Sequence, residues 1–276
     1  YHKSLGQLTC HYCGHTYAVP DVCPCCGSRD LRGRGYGTEK VEDKVMELFP
    51  EARVARMDLD TTRTRNAYER LISDFSAHRT DILIGTQMIS KGLDFDNVAV
   101  VGILNADSML NYPDFRAYEH AFMTMAQVSG RAGRKGERGV VMLQTKSPDL
   151  PVISQVVRSD VAAFYGELMD ERLMFRYPPF YHIIAVYLKH KDNATVSAAA
   201  DALAAVLRPW FNDRLLGPDK PAVAKVKTLN IRKMVLKLEN GIDRAKVRLY
   251  LNKGKDIILQ DKRFRTVGIY FDVDPL

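Results

Sequence analysis

Two arginines stand three positions apart in the stretch QVSGRAGR, residues 127–134, joined only by small residues. On a helix, Arg131 and Arg134 would share one face. Arginine stays charged under all conditions and binds phosphate in a bidentate manner. The small neighbouring residues leave space for a bulky anion, so we predict that both arginines contact the triphosphate of a nucleotide. A solvated helix end is the alternative interpretation.

A second polar stretch, GTQMISKGLDF at 85–95, follows the apolar run DILIG. We predict that this run is a buried strand, and ligands of open parallel sheets bind beyond the carboxyl ends of strands. The stretch supplies a hydroxyl, an amide, an ammonium and a carboxylate, on Thr86, Gln87, Lys91 and Asp94. The first three suit phosphate oxygens, and the carboxylate suits a ribose hydroxyl or an arginine. The alternative is a polar loop with helix caps.

The usual means of holding a nucleotide are missing from the sequence. No G-x-x-x-x-G-K-[ST] loop is present. The acidic D-E-x-H or D-E-x-D stretch that would bind Mg²⁺ is also missing, and the similar DERL at position 170 falls in a predicted ordinary helix. The chain therefore has arginines suited to a γ-phosphate without the groups that would hold the rest of the nucleotide.

The five cysteines all lie between residues 10 and 26. A secreted disulfide protein of this size would spread them along the chain, so we expect a cytosolic metal site. Two Cys-x2-Cys pairs can complete a four-thiolate zinc shell, with the ligands Cys10, Cys13, Cys23 and Cys26. Gly27 would allow the positive φ that follows such a pair, and Cys25 is expected to be a spectator. Four free buried thiols are the alternative.

Strand and helix patterns alternate across 38–145, which predicts an α/β domain with a parallel sheet and helices on both faces. Its helices include 38–49, with Thr38 as N-cap, and 63–78, whose apolar face carries Tyr68, Leu71, Ile72 and Phe75. Prolines near residue 150 predict a boundary. The expected parts are a zinc-binding element (1–35), an α/β domain (36–150) and a smaller α+β domain (151–276).

The last part is predicted to have the order βαββαβ, which is typical of a ferredoxin-like domain. A helix over 152–174 precedes it. The expected elements are strand 181–189, helix 195–207, strand 222–230, strand 232–239, helix 243–259 and strand 266–273.

The charge balance favours a polyanionic partner, although mildly basic proteins without one are common. The net charge is +7 and the pI about 9.1. No run of 18 apolar residues is present, so no membrane span is expected. Arg232 and Lys233 begin one predicted strand, and Lys225 and Lys227 lie on the strand before it. Such residues could contact an acidic tail or a phosphate, and Arg232 is the favoured functional residue. The alternative is that alternating basic residues form the solvated face of a sheet.

The ordered set of motifs resembles a known family. GTQMISKGLDF is similar to motif V of superfamily 2 helicases, and QVSGRAGR is similar to their motif VI. Together with the cysteine pairs, GYGTEK, ARMDLDTT (55–62) and the closing DVDPL, they resemble the bacterial primosomal replication-restart helicases from Tyr1 to Leu276. The resemblance implies a RecA-like second helicase lobe of a cytoplasmic 3′→5′ DNA helicase that acts at the replication fork, in the nucleoid, and reloads the replicative helicase there.

The resemblance also implies roles for residues. Arg131 and Arg134 would reach the γ-phosphate of ATP, which with Mg²⁺ is held mainly by a first lobe. Gln127 would position the nucleotide or the attacking water. The remaining nucleotide contacts would come from Gly92, Asp94 and Gly130. DNA contacts would come from Thr86, Gln87, Lys91 and Arg232.

The zinc element departs from the family in one respect. Members carry four Cys-x2-Cys pairs that interleave around two zinc ions, and the two pairs here resemble the third and fourth. In the family, each of these two pairs completes its zinc site with a pair that would lie upstream of Tyr1. Without those upstream pairs, the four cysteines either close around one zinc or the segment does not fold. The N-terminus lacks Met, which leads us to expect a part of a longer protein without the P-loop lobe, inactive by itself.

The resemblance implies forked DNA and single-strand/duplex junctions as partners, with the tail of single-strand-binding protein and other primosome proteins. A non-catalytic zinc-ribbon module that binds nucleic acid is the competing hypothesis. The helicase hypothesis needs a P-loop lobe encoded upstream of Tyr1, and the competing hypothesis does not.

Overall fold

The computed structural model describes residues 7–9, 16–18, 20–23, 26–29, 37–86, 98–130, 132–133 and 139–275. The chain divides into two compact units. One comprises Leu31–Tyr165, and the other combines Tyr1–Asp30 with Gly166–Leu276. Within the described ranges, no helix has the length and apolar character needed to cross a membrane.

A short antiparallel pair, β1 (Gln7–Thr9) and β2 (Thr16–Ala18), precedes the first large unit. That unit alternates helices and strands. Its elements are α1 (Thr38–Leu48), β3 (Val54–Met57), α2 (Arg65–Ser76), β4 (Ile82–Gly85), β5 (Val100–Ile103), α3 (Asp107–Leu110), α4 (Ala117–Ser129), β6 (Val140–Leu143) and α5 (Pro151–Arg158). A further helix, α6 (Val161–Met174), runs into the second unit.

The strands of this unit pair in parallel, as the alternating pattern predicted. In the described ranges they form two pairs, β3 with β4 and β5 with β6. A clamp fixes the register of the first pair, because Arg53 and Asp81 immediately precede the two strands. The Arg53 guanidinium donates to both carboxylate oxygens of Asp81, at 2.8 and 2.6 Å, and its backbone N–H donates to the same carboxylate at 2.8 Å.

Helix α2 packs its apolar face on the buried Met57. That face carries Tyr68, Leu71, Ile72 and Phe75, as predicted. The prediction that Thr38 caps α1 was wrong, since Gly37 occupies the N-cap and Thr38 is the first helical residue. Its hydroxyl instead donates to Asp58 at 2.6 Å.

The single helix predicted over 152–174 is two helices. Ser159 has φ of 55°, which ends α5, and the Asp160 carboxylate accepts from the Ala163 N–H at 3.0 Å, which starts α6. The rings of Phe122 and Phe164 stack with centroids 4.0 Å apart, so the first turn of α6 packs on α4. This packing explains why the division between the units falls after residue 165, whereas we predicted a boundary near 150.

The second unit contains an antiparallel sheet and two long helices. Its elements are β7 (Tyr181–His190), α7 (Asn193–Phe211), β8 (Leu215–Asp219), β9 (Lys225–Val226), β10 (Leu229–Glu239), α8 (Arg244–Gln260) and β11 (Gly268–Val273). The strand order is β11–β7–β10–β8, with β9 beside β10. Helices α7 and α8 pack on one face of the sheet, where the core contains Val186, Leu188, Leu203, Met234, Leu236 and Leu251.

The strand predicted at 222–230 was misplaced. The structure has β8 earlier, at Leu215–Asp219, and within the predicted range only the short β9 and the start of β10 are strand. Gly217 and Pro218, a typical turn signal, lie inside β8. That strand is at the edge of the sheet, where a proline is tolerated because one side of the strand makes no ladder hydrogen bonds.

Candidate functional site

The candidate site is centred on Met57, which lies close to described residues of both helicase-like motifs. Met57 is fully buried at the end of β3 and pairs with Gly85, the last residue of β4. Thr86, the first polar residue of the GTQMISKGLDF stretch, follows directly and is exposed. Val98, which leads into β5, also packs against Met57. Gly85, at the start of this stretch, and Val98, just beyond its end, therefore both lie beside Met57.

The QVSGRAGR stretch joins the same centre through Val98. Helix α4 ends at Ser129, with Gly130 as its C-cap and Gln127 exposed on its last turn. Ala132 then forms a parallel β-bridge with Val98, and the Gly133 N–H donates to the Val98 carbonyl at 3.1 Å. Positive φ, 81° at Gly133, lets the chain turn there. Ala132 and Gly133, which follow Arg131, are thus fixed beside the amino end of β5.

Gly139, the residue before β6, packs against this turn on the side away from Val98. A Cβ added at Gly139 would lie 2.6 Å from the Cβ of Ala132, closer than non-bonded carbon atoms pack. The next residue, Val140, donates its N–H to the Ala99 carbonyl at 2.9 Å. The motif turn therefore lies between Val98 on one side and Gly139 on the other.

Several predicted site residues lie outside the described ranges: Gln87, Lys91, Gly92, Asp94, Arg131, Arg134, Cys10 and Cys13. Their roles stay predictions. Among the described ones, Thr86 and Gln127 are exposed and Gly130 closes α4.

The rule that ligands bind beyond the carboxyl ends of parallel strands correctly predicted the position of Thr86. It did not predict the position of the QVSGRAGR turn. A parallel partner strand must start at the same edge as β5, so the connection returns there before β6. Helix α4 covers this return, about 20 Å for its 13 residues. Ala132 and Gly133 consequently lie at the amino end of β5, and the predicted strand order could have shown this.

A charged cluster beside Met57 joins the GYGTEK and ARMDLDTT stretches. The Asp58 carboxylate accepts from the Thr38 hydroxyl at 2.6 Å and from the Thr61 N–H at 3.0 Å. The half-buried Arg56 guanidinium lies 3.2 Å from Asp58 and 3.3 and 3.5 Å from Glu39 and Glu42. These contacts fix α1 to the end of β3.

The cluster has opposite effects on its acids. Burial pushes the pKa of Asp58 upward, but hydrogen bonds from Thr38 and Thr61, with the Arg56 charge, outweigh it and hold that pKa below its ordinary value. Burial raises the pKa of Glu42 despite Arg56. Sequence reasoning missed Arg56 as the residue that positions this cluster, since a single arginine on a strand gives no distinctive signal.

The second cysteine pair forms a tight turn. The Gly27 N–H donates to the Cys23 carbonyl at 2.9 Å, and the Cys23 N–H donates to the Ser28 carbonyl at 2.8 Å. Gly27 has φ of 69°, as predicted. The turn returns the backbone to Cys23 directly after Cys26, and zinc binding by these two cysteines stays a prediction. Within the residues that the structure describes, no group of three potential ligands is assembled, and Cys10 and Cys13 lie outside them.

Arg232, the predicted nucleic-acid contact of the second unit, is buried with 8% of its surface exposed. Its guanidinium donates to Asn193 Oδ1 at 2.7 Å, to Ser197 Oγ at 2.8 Å and to the Ile231 carbonyl at 2.9 Å. These bonds connect β10 to the first turns of α7. They favour a structural role for Arg232 over contact with DNA. Lys225 lies in the short β9, and Lys227 lies in the turn after it with φ of 53°.

Comparisons with known proteins cover both units. Residues 36–136 match the helicase conserved C-terminal domain, and residues 174–276 match the primosomal protein N C-terminal domain. The first match includes the Met57-centred site, and the second includes the antiparallel sheet.

Similarity to curated proteins extends along the chain. It is 42% identical over 229 residues to the replication restart protein PriA of Bacillus subtilis, covering 82% of the chain and 28% of that protein. Identity to PriA of Synechocystis is 36% over 280 residues, covering the whole chain and 33% of that relative. Identity to PriA of Borreliella burgdorferi is 32% over 278 residues, covering the whole chain and 41% of that relative. The chain thus spans between 28 and 41% of the length of these relatives, and it belongs to the family of the replication restart protein PriA.

Proposed function

We propose that the intact protein is an ATP-dependent 3′→5′ DNA helicase of replication restart, to which this chain contributes the second, RecA-like helicase lobe. The observation that carries this proposal is the joint anchoring of the two helicase motifs at Met57, through Gly85 on one side and Val98 on the other. If one motif contacts ATP and the other contacts DNA, a shared rigid support lets a change at the first motif reach the second.

Within this proposal, ATP and Mg²⁺ are bound mainly by a first lobe and supply the phosphoryl group and its charge compensation. Arg131 and Arg134 reach toward the γ-phosphate and stabilise charge in the transition state, as arginine fingers do. Gln127, exposed on the last turn of α4, orients the nucleotide or water. The remaining nucleotide contacts come from Gly92, Asp94 and Gly130.

DNA contacts of the lobe come from Thr86, Gln87 and Lys91. Thr86 is exposed at the carboxyl end of β4, where a hydroxyl can donate to a phosphate oxygen. Such contacts are independent of sequence. Closure of the lobes on ATP and opening after hydrolysis would move the DNA-contacting residues along one strand.

The other parts are proposed to serve the same reaction. Cys10, Cys13, Cys23 and Cys26 bind zinc, for which the Cys23–Cys26 turn supplies suitable backbone geometry. The C-terminal unit is a ferredoxin-like domain, a proposal supported by the order β11–β7–β10–β8 of its antiparallel sheet. Forked DNA, the tail of single-strand-binding protein and other primosome proteins are its proposed partners, at replication forks in the bacterial cytoplasm.

The test is ATP hydrolysis by the full-length protein with single-stranded DNA present. Arg131→Ala or Arg134→Ala should lower kcat by about 10³-fold, the lower end of arginine-finger effects. Arg65→Ala removes a surface arginine of the same lobe that pairs only with Glu69 among the contacts described, and it should leave kcat unchanged. Wild-type turnover in both motif variants would refute the roles of Arg131 and Arg134. Absence of DNA-stimulated hydrolysis by the unmodified full-length protein would favour a non-catalytic zinc-ribbon module.

A further inference from the structure

The face of the C-terminal sheet opposite α7 and α8 carries a row of aromatic and basic side chains. Tyr187 of β7 pairs with Tyr270 of β11 on one side and with Lys233 of β10 on the other. Directly paired residues of antiparallel strands share a face. Their neighbours Val186, Leu188 and Met234 point into the helical core, so the row lies on the opposite face.

The two tyrosines form a stacked pair flanked by ammonium groups. Their ring centroids are 5.0 Å apart with planes 16° from parallel. Lys189 Nζ lies 4.6 Å from the Tyr270 centroid, and Lys233 Nζ lies 5.6 Å from the Tyr187 centroid. Tyr270 is 39% exposed, and Tyr187, Lys189 and Lys233 are partly exposed. We call these four residues the Tyr–Lys row.

The net charge of the side chains around the Tyr–Lys row is positive. A third lysine of this face, Lys237, donates to the Phe175 carbonyl at 2.6 Å and lies 3.7 Å from the Tyr177 ring centroid. It is therefore held by the segment before β7. Asp272 follows Tyr270 on the same face, and Asp219 pairs with Lys233. Glu239 also lies on this face, by alternation along β10, but it is ion-paired with Arg214 at 2.8 Å. The remaining three lysines and two aspartates leave a surface that attracts an anion.

We propose that the Tyr–Lys row binds single-stranded nucleic acid, with a base stacked on the tyrosine pair and its phosphates contacted by Lys189 and Lys233. Four-stranded sheets that present aromatic rings bind unpaired bases in this way. Stacking accepts any base, because every base has a π-face. The proposal rests on the DNA-binding function proposed above and gives it a specific surface.

The side chains argue for this occupant over others. A duplex already stacks its bases on one another, so the rings could not reach them. An acidic peptide would pair with the lysines and leave the stacked rings without a role. The lysines now cover the outer ring faces, but an exposed cation–π contact is weaker than base stacking, so a base displaces the ammonium toward the neighbouring phosphate.

The experiment is fluorescence anisotropy of a fluorescein-labelled oligothymidylate with the whole chain. Tyr187→Leu/Tyr270→Leu should raise Kd by about tenfold or more, because stacking is lost. Tyr187→Phe/Tyr270→Phe should keep wild-type affinity, because the rings remain. Circular dichroism and thermal melting verify that each variant is folded.

Matched lysine variants separate this face from general charge. Lys189→Gln/Lys233→Gln should weaken binding and reduce the slope of log Kd against log salt by about 1.4, from two phosphate contacts. Lys246→Gln/Lys253→Gln removes the same charge and two lysine–aromatic contacts, with Tyr250 and Trp210, on the helical side of the sheet. It should change the slope by less.

The proposal would be overturned by unchanged oligothymidylate affinity in a folded Tyr187→Leu/Tyr270→Leu variant, or by equal losses from both lysine pairs. A tyrosine-dependent affinity for a labelled acidic peptide in place of the oligonucleotide would overturn it as well. A duplex of the same length should show little dependence on the tyrosines, and an equal dependence would also contradict it. These outcomes are distinct from failure of the helicase proposal, which DNA-stimulated ATP hydrolysis by the full-length protein decides.

Discussion

Gly139 packs against Ala132 so closely that no side chain fits between them. A Cβ at Gly139 would lie 2.6 Å from the Ala132 Cβ, and its contacts with the Ala132 carbonyl carbon and the Gly133 nitrogen would be closer still. Two of these three atoms are backbone, which cannot rotate away. The entry to β6 therefore fixes the turn that separates Arg131 from Arg134.

Gly139→Ala should displace this turn. We expect the free energy of unfolding of the chain to fall by about 1–3 kcal/mol, as for overpacked sites, and ATP hydrolysis by the full-length protein to fall with it. Gly102→Ala is the control, because Gly102 lies on the neighbouring strand β5 with no atom within 4 Å of an added Cβ. Urea unfolding and steady-state ATPase assays give both quantities. Equal stability and activity in the two variants would contradict the packing argument.

Arg232 and Lys233 are adjacent on β10 but should behave differently. Arg232→Met removes donors to Asn193 and Ser197 while keeping volume, so we expect a loss of about 1.5–3 kcal/mol in the free energy of unfolding with unchanged affinity for single-stranded DNA below the melting temperature. Lys233→Met should leave the unfolding free energy unchanged and weaken DNA binding. Weaker binding by a folded Arg232→Met variant would restore Arg232 as a DNA contact.

The same pair shows where sequence reasoning reached its limit. Alternation along β10 predicted a strand with one solvated face, and Lys233 lies there. The burial of Arg232 depends on Asn193 and Ser197, which are 39 and 35 residues earlier in the chain, and no local pattern reports such a pairing.

In the first unit, apolar periodicity predicted the faces of α2 and the parallel strands, because burial follows directly from it. Periodicity could not predict that Ser159 breaks a helix, because that break depends on packing against α4. In the second unit it could not predict that Gly217 and Pro218 lie within a strand, because that depends on the position of β8 at the edge of the sheet.

The Arg53–Asp81 clamp should make part of the stability dependent on pH. Hydrogen bonds from the Arg53 side chain and backbone lower the pKa of Asp81 from 3.8 to about 2. The folded chain therefore binds this proton less readily than the unfolded chain, so the stabilisation is present above about pH 4 and is lost as pH falls through about 2. The difference in unfolding free energy between wild type and Asp81→Asn should be constant near neutral pH and shrink in acid.

Chemical unfolding followed across this pH range measures the difference. Glu47→Gln is the control, because Glu47 makes an exposed ion pair with Lys44 within one helix, and such pairs contribute little. A wild-type to Asp81→Asn difference that persists unchanged to pH 2 would contradict the clamp.

Zinc content decides between the two arrangements of the cysteine element. We expect one zinc per chain, since two Cys-x2-Cys turns supply four thiolates and four complete a structural site. Cys23→Ser should abolish binding, and Cys25→Ser, which changes the expected spectator, should retain it. Metal analysis of the purified chain after dialysis without chelator gives the number. A value near zero would contradict closure around a single ion.

The chain alone should release no phosphate from ATP, with or without single-stranded DNA. Its sequence contains no phosphate-binding G-x-x-x-x-G-K-[ST] loop, and arginines can stabilise a transition state only where other groups hold the nucleotide and Mg²⁺. A phosphate-release assay is informative if the same preparation binds oligothymidylate, because binding verifies that the C-terminal unit is folded. DNA-stimulated turnover that disappears in Arg131→Ala would show that this chain holds ATP by itself, and the division of the ATP site between two lobes would then be wrong.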